Sequence, residues 1–259
     1  YEIPLRLVGS EMCIRDRDRL DVFLCEYTAK VQRAVLIRDY VIDHLDEAFS
    51  KGYIQVYYQP VIRSISKTLC GLEALARWID PVYGFLKPSE FIPALENTRQ
   101  LYQLDLYILE EVCKRLRACL DDGIPVVPIS INLSRMDFLT CDIFTEVERR
   151  TQKYRIPHHL LCIEITESMF VQNAREIRII LDHFREVGYQ VWMDDFGSGY
   201  SSLNALKDYH FDELKIDMDF LSNFTQRSKD IIQSTIHMSK KIGIRTLAAV
   251  SYTHLTLPT

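Results

Sequence analysis

From Tyr53 onward, short apolar runs alternate with longer stretches whose apolar residues recur every three or four positions. The short runs read as strands: IQVYYQPV (54–61), GLEALARW (71–78), VVPISINLS (126–134), LLCIEITES (160–168), YQVWMDDFG (189–197), DELKIDMDF (212–220) and IRTLAAV (244–250). Between them the three-and-four spacing predicts helices near 103–121, 142–153, 173–187, 201–207 and 228–242, with Asn173 and Ser228 as N-caps. Gly123, Gly188 and Gly243 each close a helix and lead into a strand, as a left-handed C-cap requires. Repeated β-α units with nearly continuous apolar strands predict a parallel sheet covered on both faces. Seven strands in one run favour a TIM-type (β/α) barrel, with a doubly wound sheet as the alternative. Upstream, Val35, Leu36, Tyr40, Val41, Leu45, Ala48 and Phe49 predict a helix over 30–50, the core of a linker region spanning 18–52.

Composition narrows the class. The 259 residues are 47% apolar and 26% charged, which is globular and neither disordered nor collagen-like. A net charge of −5 argues against a general nucleic-acid binder, which would carry a basic stripe. No run approaches the length of a transmembrane helix. The seven cysteines are odd in number and never spaced C-x-x-C, which fits reduced thiols in a cytoplasmic protein.

The polar exceptions inside the apolar strands carry the chemistry. Catalytic groups of a (β/α) barrel sit at the C-terminal ends of its strands. Here those ends hold Glu73, Asn132, Glu164 and Glu167, Asp194 and Asp195, and Lys215. One carboxylate in an apolar strand is usually a paired core residue, but five strands of seven with a polar group point to a shared site. Glu73, Asn132, Glu164 and Asp194 form an all-oxygen set, suited to Mg²⁺ or Mn²⁺ rather than Zn²⁺. Such a set can hold a metal pair, the arrangement that hydrolyses phosphodiesters, with Lys215 positioning the water or stabilising charge on oxygen. A regular strand would point Asp194 and Asp195 to opposite sides, unless it is already opening into its loop. Glu164 and Glu167 also differ in side, so they should differ in role.

Taken together, YYQP (57–60), EALARW (73–78), PSEFIP (88–93), INLS (131–134), EITE (164–167), DDFGSGYSSL (194–203) and LKID (214–217) resemble the EAL domain. That family of bacterial signalling domains has a TIM-type barrel fold. The resemblance implies Mg²⁺- or Mn²⁺-dependent hydrolysis of cyclic di-GMP to linear pGpG, on two ions. It implies that Glu73, Asn132, Glu164 and Asp194 are metal ligands, and that Asp195 is a ligand of the second metal or of its water. Glu167 would steady the 194–203 loop, Lys215 would contact the attacking water, and Gln59 and Arg77 would touch substrate. Domains of this family often follow a sensor or GGDEF domain, often dimerise, and can sit in membrane-anchored parents.

One departure bears on activity. The family carries a strand-end glutamate after a G-[IL]-R segment, and this chain has GIRTLAAV, with Ala249 at the corresponding position. Ala249 lies six residues after Gly243, just as Asp194 lies six after Gly188, so position 249 reads as a strand end facing the site. An alanine there offers no oxygen ligand, which predicts little or no turnover. The alternative is a degenerate domain that binds cyclic di-GMP or a protein partner without cleaving it. Residues 1–17 and 249–259 resemble translated adapter sequence and are expected to be non-native tails, with disorder as the other reading. On that expectation the EAL-like part, 53–248, is a barrel incomplete at its C-terminus, shorter than the roughly 250 residues typical of the fold.

Overall fold

The computed structural model describes residues 29–63, 66–171, 174–197, 202–216 and 225–248. Asn173, Gly199, Ala249 and both expected tails lie outside the described residues. Helix α1 (Ala29–Ser50) buries Ile37, Val41, Leu45 and Ala48, a single stripe at spacings of four and three. It packs against α2 (Pro88–Asn97), whose buried residues are Phe91, Ala94 and Leu95.

Among the described residues, eight strands form one sheet: β1 (Ile54–Ile62), β2 (Leu69–Asp80), β3 (Gly84–Leu86), β4 (Ile129–Asn132), β5 (Leu161–Thr166), β6 (Gln190–Phe196), β7 (Glu213–Ile216) and β8 (Arg245–Ala248). The order is β1-β2-β4-β5-β6-β7-β8, with β3 off the path against β2. From β2 through β4 to β8 every neighbour is parallel. Helices α3 (Leu101–Asp121), α4 (Arg135–Thr140), α5 (Ile143–Lys153), α6 (Ala174–Glu186), α7 (Ser202–Asp208) and α8 (Gln226–Lys241) fill the crossovers. This mixed α/β architecture is a curled, TIM-type part-barrel, and the doubly wound alternative falls.

Two expectations need correction. The sheet is not parallel throughout, because β1 and β2 are antiparallel. Only residues 63–68 join them, far short of the dozen or more that a parallel crossover needs. The cap of α8 is Thr225 rather than Ser228, since the Ser228 N–H donates to Thr225 Oγ1 at 3.1 Å. The three C-cap glycines do take positive φ: 67° at Gly123, 105° at Gly188 and 79° at Gly243.

Strand β5 explains how the fold presents chemistry. Leu161 through Ile165 are all buried, as expected of a strand covered on both faces. Leu161, Ile163 and Ile165 join the main apolar cluster, where Leu104, Leu109 and Leu181 of the surrounding helices also sit. Cys162 and Glu164 alternate with them and face the other side of the sheet. Ser130 of β4 lies fully buried between the clustered Ile129 and Ile131, in the same alternation. The helices therefore take one face of the sheet, and the opposite face mixes buried apolar groups such as Cys162 and Trp192 with the polar Ser130 and Glu164.

Candidate metal centre

Three strands deliver carboxylates to one point. Glu73 of β2, Glu164 of β5 and Asp194 of β6 each offer an oxygen, and these oxygens all lie within 4.8 Å of one another. The ladder aligns their strand ends: Asn132 pairs with Glu164, and Thr166 pairs with Asp194. Asn132 joins from β4, its amide donating to Glu73 Oε1 at 3.4 Å. Lys215 of β7 reaches into the middle. Its Nζ lies 3.2 Å from Glu73 Oε2, 3.2 Å from Asp194 Oδ1, and in contact with Glu164 Oε1.

Burial sets the electrostatics. Glu164 is fully buried and Lys215 nearly so. Burial pushes the Glu164 carboxyl above its usual range, Glu73 and Asp194 push the same way, and Lys215 opposes them. Burial alone would lower the Lys215 ammonium, but Glu164, Glu73 and Asp194 outweigh it and hold it above its ordinary value. One ammonium faces three carboxylates, so the cluster keeps surplus negative charge when all three are ionised. Glu164 Oε2 is buried and has no hydrogen-bond partner. An orphaned buried carboxylate oxygen beside two further carboxylates and an amide oxygen fits a hard divalent cation.

Asp195 stands apart from this group. The β6–β7 ladder pairs Met193 with Leu214 and Phe196 with Ile216, so Asp194 and Asp195 together span the one position held by Lys215. That is a β-bulge. Asp195 takes the left-handed conformation, φ 54°, is exposed, and donates its backbone N–H to Asp194 Oδ1 at 2.9 Å. The strand is thus already opening into its loop at the two aspartates.

Of the remaining sequence-predicted residues, Glu167 and Gln59 neighbour this centre, at the end of β5 and on β1, and Arg77 lies further along β2. Glu167 follows β5, is 3% exposed, and accepts the Gly197 N–H at 3.3 Å, tying down the start of the 194–203 loop. Gln59 of β1 lies directly opposite Glu73 in the antiparallel ladder. Arg77 is four residues along β2 from Glu73, on the same face, with its guanidinium 5.8 Å from the Tyr57 ring centroid. Sequence reasoning missed a carboxyl pair behind Asn132, half-buried Asp105 of α3 and fully buried Asp137 of α4. The S-x-x-D spacing of Ser134 and Asp137, a capping box in the structure, was the available signal.

The EAL domain family matches residues 42–250. MucR of Pseudomonas aeruginosa, a bifunctional diguanylate cyclase/cyclic di-GMP phosphodiesterase, is 30% identical over 211 residues, covering 80% of this chain and 31% of the relative. The oxygen sensor protein DosP of Escherichia coli is 34% identical over 177 residues, covering 68% of this chain and 22% of the relative. This chain therefore spans a third or less of the length of these relatives. Among solved structures, the PaMucR phosphodiesterase in complex with c-di-GMP superposes with a TM-score of 0.76 at 28% identity, covering 82% of this chain and 87% of that one.

Proposed function

Because the chain belongs to the EAL domain family, we propose that it carries the metal-dependent site of a bacterial second-messenger phosphodiesterase that hydrolyses cyclic di-GMP to linear pGpG. The observation behind this reading is the convergence of Glu73, Glu164 and Asp194 around the Lys215 ammonium. The activity named for MucR and the nucleotide in the PaMucR complex support the same substrate.

Glu73, Asn132, Glu164 and Asp194 are the proposed ligands, with Asp195 serving a second ion or its water. When bound, two Mg²⁺ or Mn²⁺ ions supply Lewis-acid polarisation of the phosphodiester and acidify a water. The chain's own groups do the rest. The Lys215 ammonium donates to the oxygen that gains negative charge. Arg77 offers a planar fork of donors that matches a phosphate, and Gln59 contacts the nucleotide from the neighbouring strand. Glu167 holds the backbone at Gly197, which fixes where the 194–203 loop leaves the site. We propose further that the parent protein carries a sensor or GGDEF domain, which the diguanylate cyclase activity named for MucR supports, and that the domain pairs as a homodimer.

Ala249 supports a second reading, binding with impaired turnover, because alanine supplies no ligand where the family has glutamate. Chromatography of cyclic di-GMP incubated with the chain and Mn²⁺ tests both. We expect nucleotide binding, slow release of pGpG, and a faster rate in Ala249→Glu. Full-rate turnover by the unaltered chain would overturn the impairment. Absence of both binding and turnover, in the chain and in Ala249→Glu alike, would overturn the phosphodiesterase reading.

A further inference from the structure

Behind the end of β4 sits an arrangement that the metal centre does not account for. Asp137 of α4 is fully buried. Its Oδ2 accepts both the N–H and the hydroxyl of Ser134, at 2.5 and 2.8 Å. Its Oδ1 is also buried and has no hydrogen-bond partner. The Asp105 carboxyl, half-buried on α3, interacts with this carboxyl and with Ser134.

Two ionised carboxylates only accept, so they cannot bond to each other, and a buried oxygen without a donor costs about 1–3 kcal/mol. A single proton resolves both problems. Carried on Asp105, it lets Asp105 O–H donate to Asp137 Oδ1, while Asp137 stays ionised and keeps its two bonds from Ser134. The burial that raises the Asp105 carboxyl works in the same direction.

We propose that Asp105 is a positioning residue: by sharing one proton with Asp137 it ties α3, through Ser134, to the strand end that carries Asn132. The connection is short. Ser134 is two residues beyond Asn132, and Leu133 between them donates its N–H to the Glu164 carbonyl at 2.9 Å. Asn132 is thereby gripped from the metal side through Glu164 and Glu73, and from behind through Asp137 and Asp105. Helix α3 is a firm anchor, since Leu104, Ile108 and Leu109 are all buried in the core. The proposal rests on Asn132 being a metal ligand.

The test uses the 259-residue chain, with Mn²⁺ alone as the calorimetric probe. Asp105→Ala removes the donor and should weaken Mn²⁺ binding about 10–100-fold, the usual effect of losing a group that orients a ligand. Asp105→Asn restores a donor without a titrating proton and should return the affinity to near the wild-type value. The infrared difference spectrum of wild type minus Asp105→Asn should show a protonated-carboxyl band, from which the raised Glu164 carboxyl cancels because both chains carry it. Unchanged affinity in Asp105→Ala would overturn the positioning role. Failure of Asp105→Asn to restore affinity would overturn it as well, and absence of the band from the difference spectrum would overturn the shared proton. Asn132→Ala with full Mn²⁺ affinity would overturn the ligand reading instead, which is distinguishable because the carboxyl band depends on Asp105 and not on Asn132.

Discussion

Glu164 and Lys215 show how one contact can serve two states of the molecule. A fully buried carboxylate is tolerated here because an ammonium touches it and two more carboxylates flank that ammonium. Lysine 215 is therefore a structural counter-ion as well as a proposed catalytic donor. Replacing it, Lys215→Ala, strands the carboxylates. The metal-free variant should lose about 3–5 kcal/mol, the usual cost of removing one partner of a buried pair. Mn²⁺ should then stabilise this variant more than it stabilises the wild type. Urea unfolding in chelator and in Mn²⁺ would measure both quantities, and equal Mn²⁺ effects in the two chains would refute the argument. Individual residues were largely visible in the sequence, because a charge in an apolar strand stands out. Their partners were not: Glu164 and Lys215 lie 51 residues apart, and only the curled sheet brings them together.

At the scale of elements, helices and strands were legible wherever apolar spacing was clean, as in α3 or β5. The direction of β1 was not, because a period of two is the same read either way along the chain. The six-residue connection at 63–68 held that information. The two adjacent aspartates already raised the exception that the strand opens into its loop there, but not the bulge that does it. Contacts between elements follow their own rules. Glu110 of α3 accepts from Lys153 Nζ at 2.6 Å and from the Tyr154 hydroxyl at 2.5 Å, and pairs with Arg150 at 3.3 Å, so it joins α3 to α5. Burial alone would raise Glu110, but Lys153, Tyr154 and Arg150 outweigh it and bring its carboxyl below the ordinary value. A carboxyl depressed in the native state adds stability above its unfolded value, and that stability is lost as the pH falls through the native one. Glu110→Gln should therefore cost about 1 kcal/mol or less at neutral pH and flatten the acid limb of the stability curve. Urea midpoints from neutral to acidic pH would check it, and identical acid limbs would refute it.

At the scale of the whole molecule, net charge and site charge pull against each other. The chain carries −5 and the proposed ligand is an anion. Without a divalent cation, long-range repulsion should slow and weaken binding of cyclic di-GMP. Added salt should then strengthen binding in chelator, because screening shortens the reach of that repulsion to about 8 Å at physiological ionic strength. Anisotropy of a labelled nucleotide titrated in chelator at rising salt would test this, and a monotonic loss of affinity would refute it. Among the described residues no helix is long and apolar enough to cross a membrane.

The bulge in β6 has a consequence for which substitutions the site can accept. Position 195 filters residues by backbone shape before it filters them by charge. At φ 54° aspartate, asparagine and glycine are all at home, and a β-branched side chain is not. Asp195→Asn should therefore keep the fold while removing a charge, and Asp195→Val should disturb Asp194 even though residue 195 lies outside the triad. Comparing Mn²⁺ affinity in these two variants separates conformation from charge at a single position. If valine is tolerated as well as asparagine, the bulge is incidental. If it is not, one extra residue in a strand is what holds Asp194 toward Lys215.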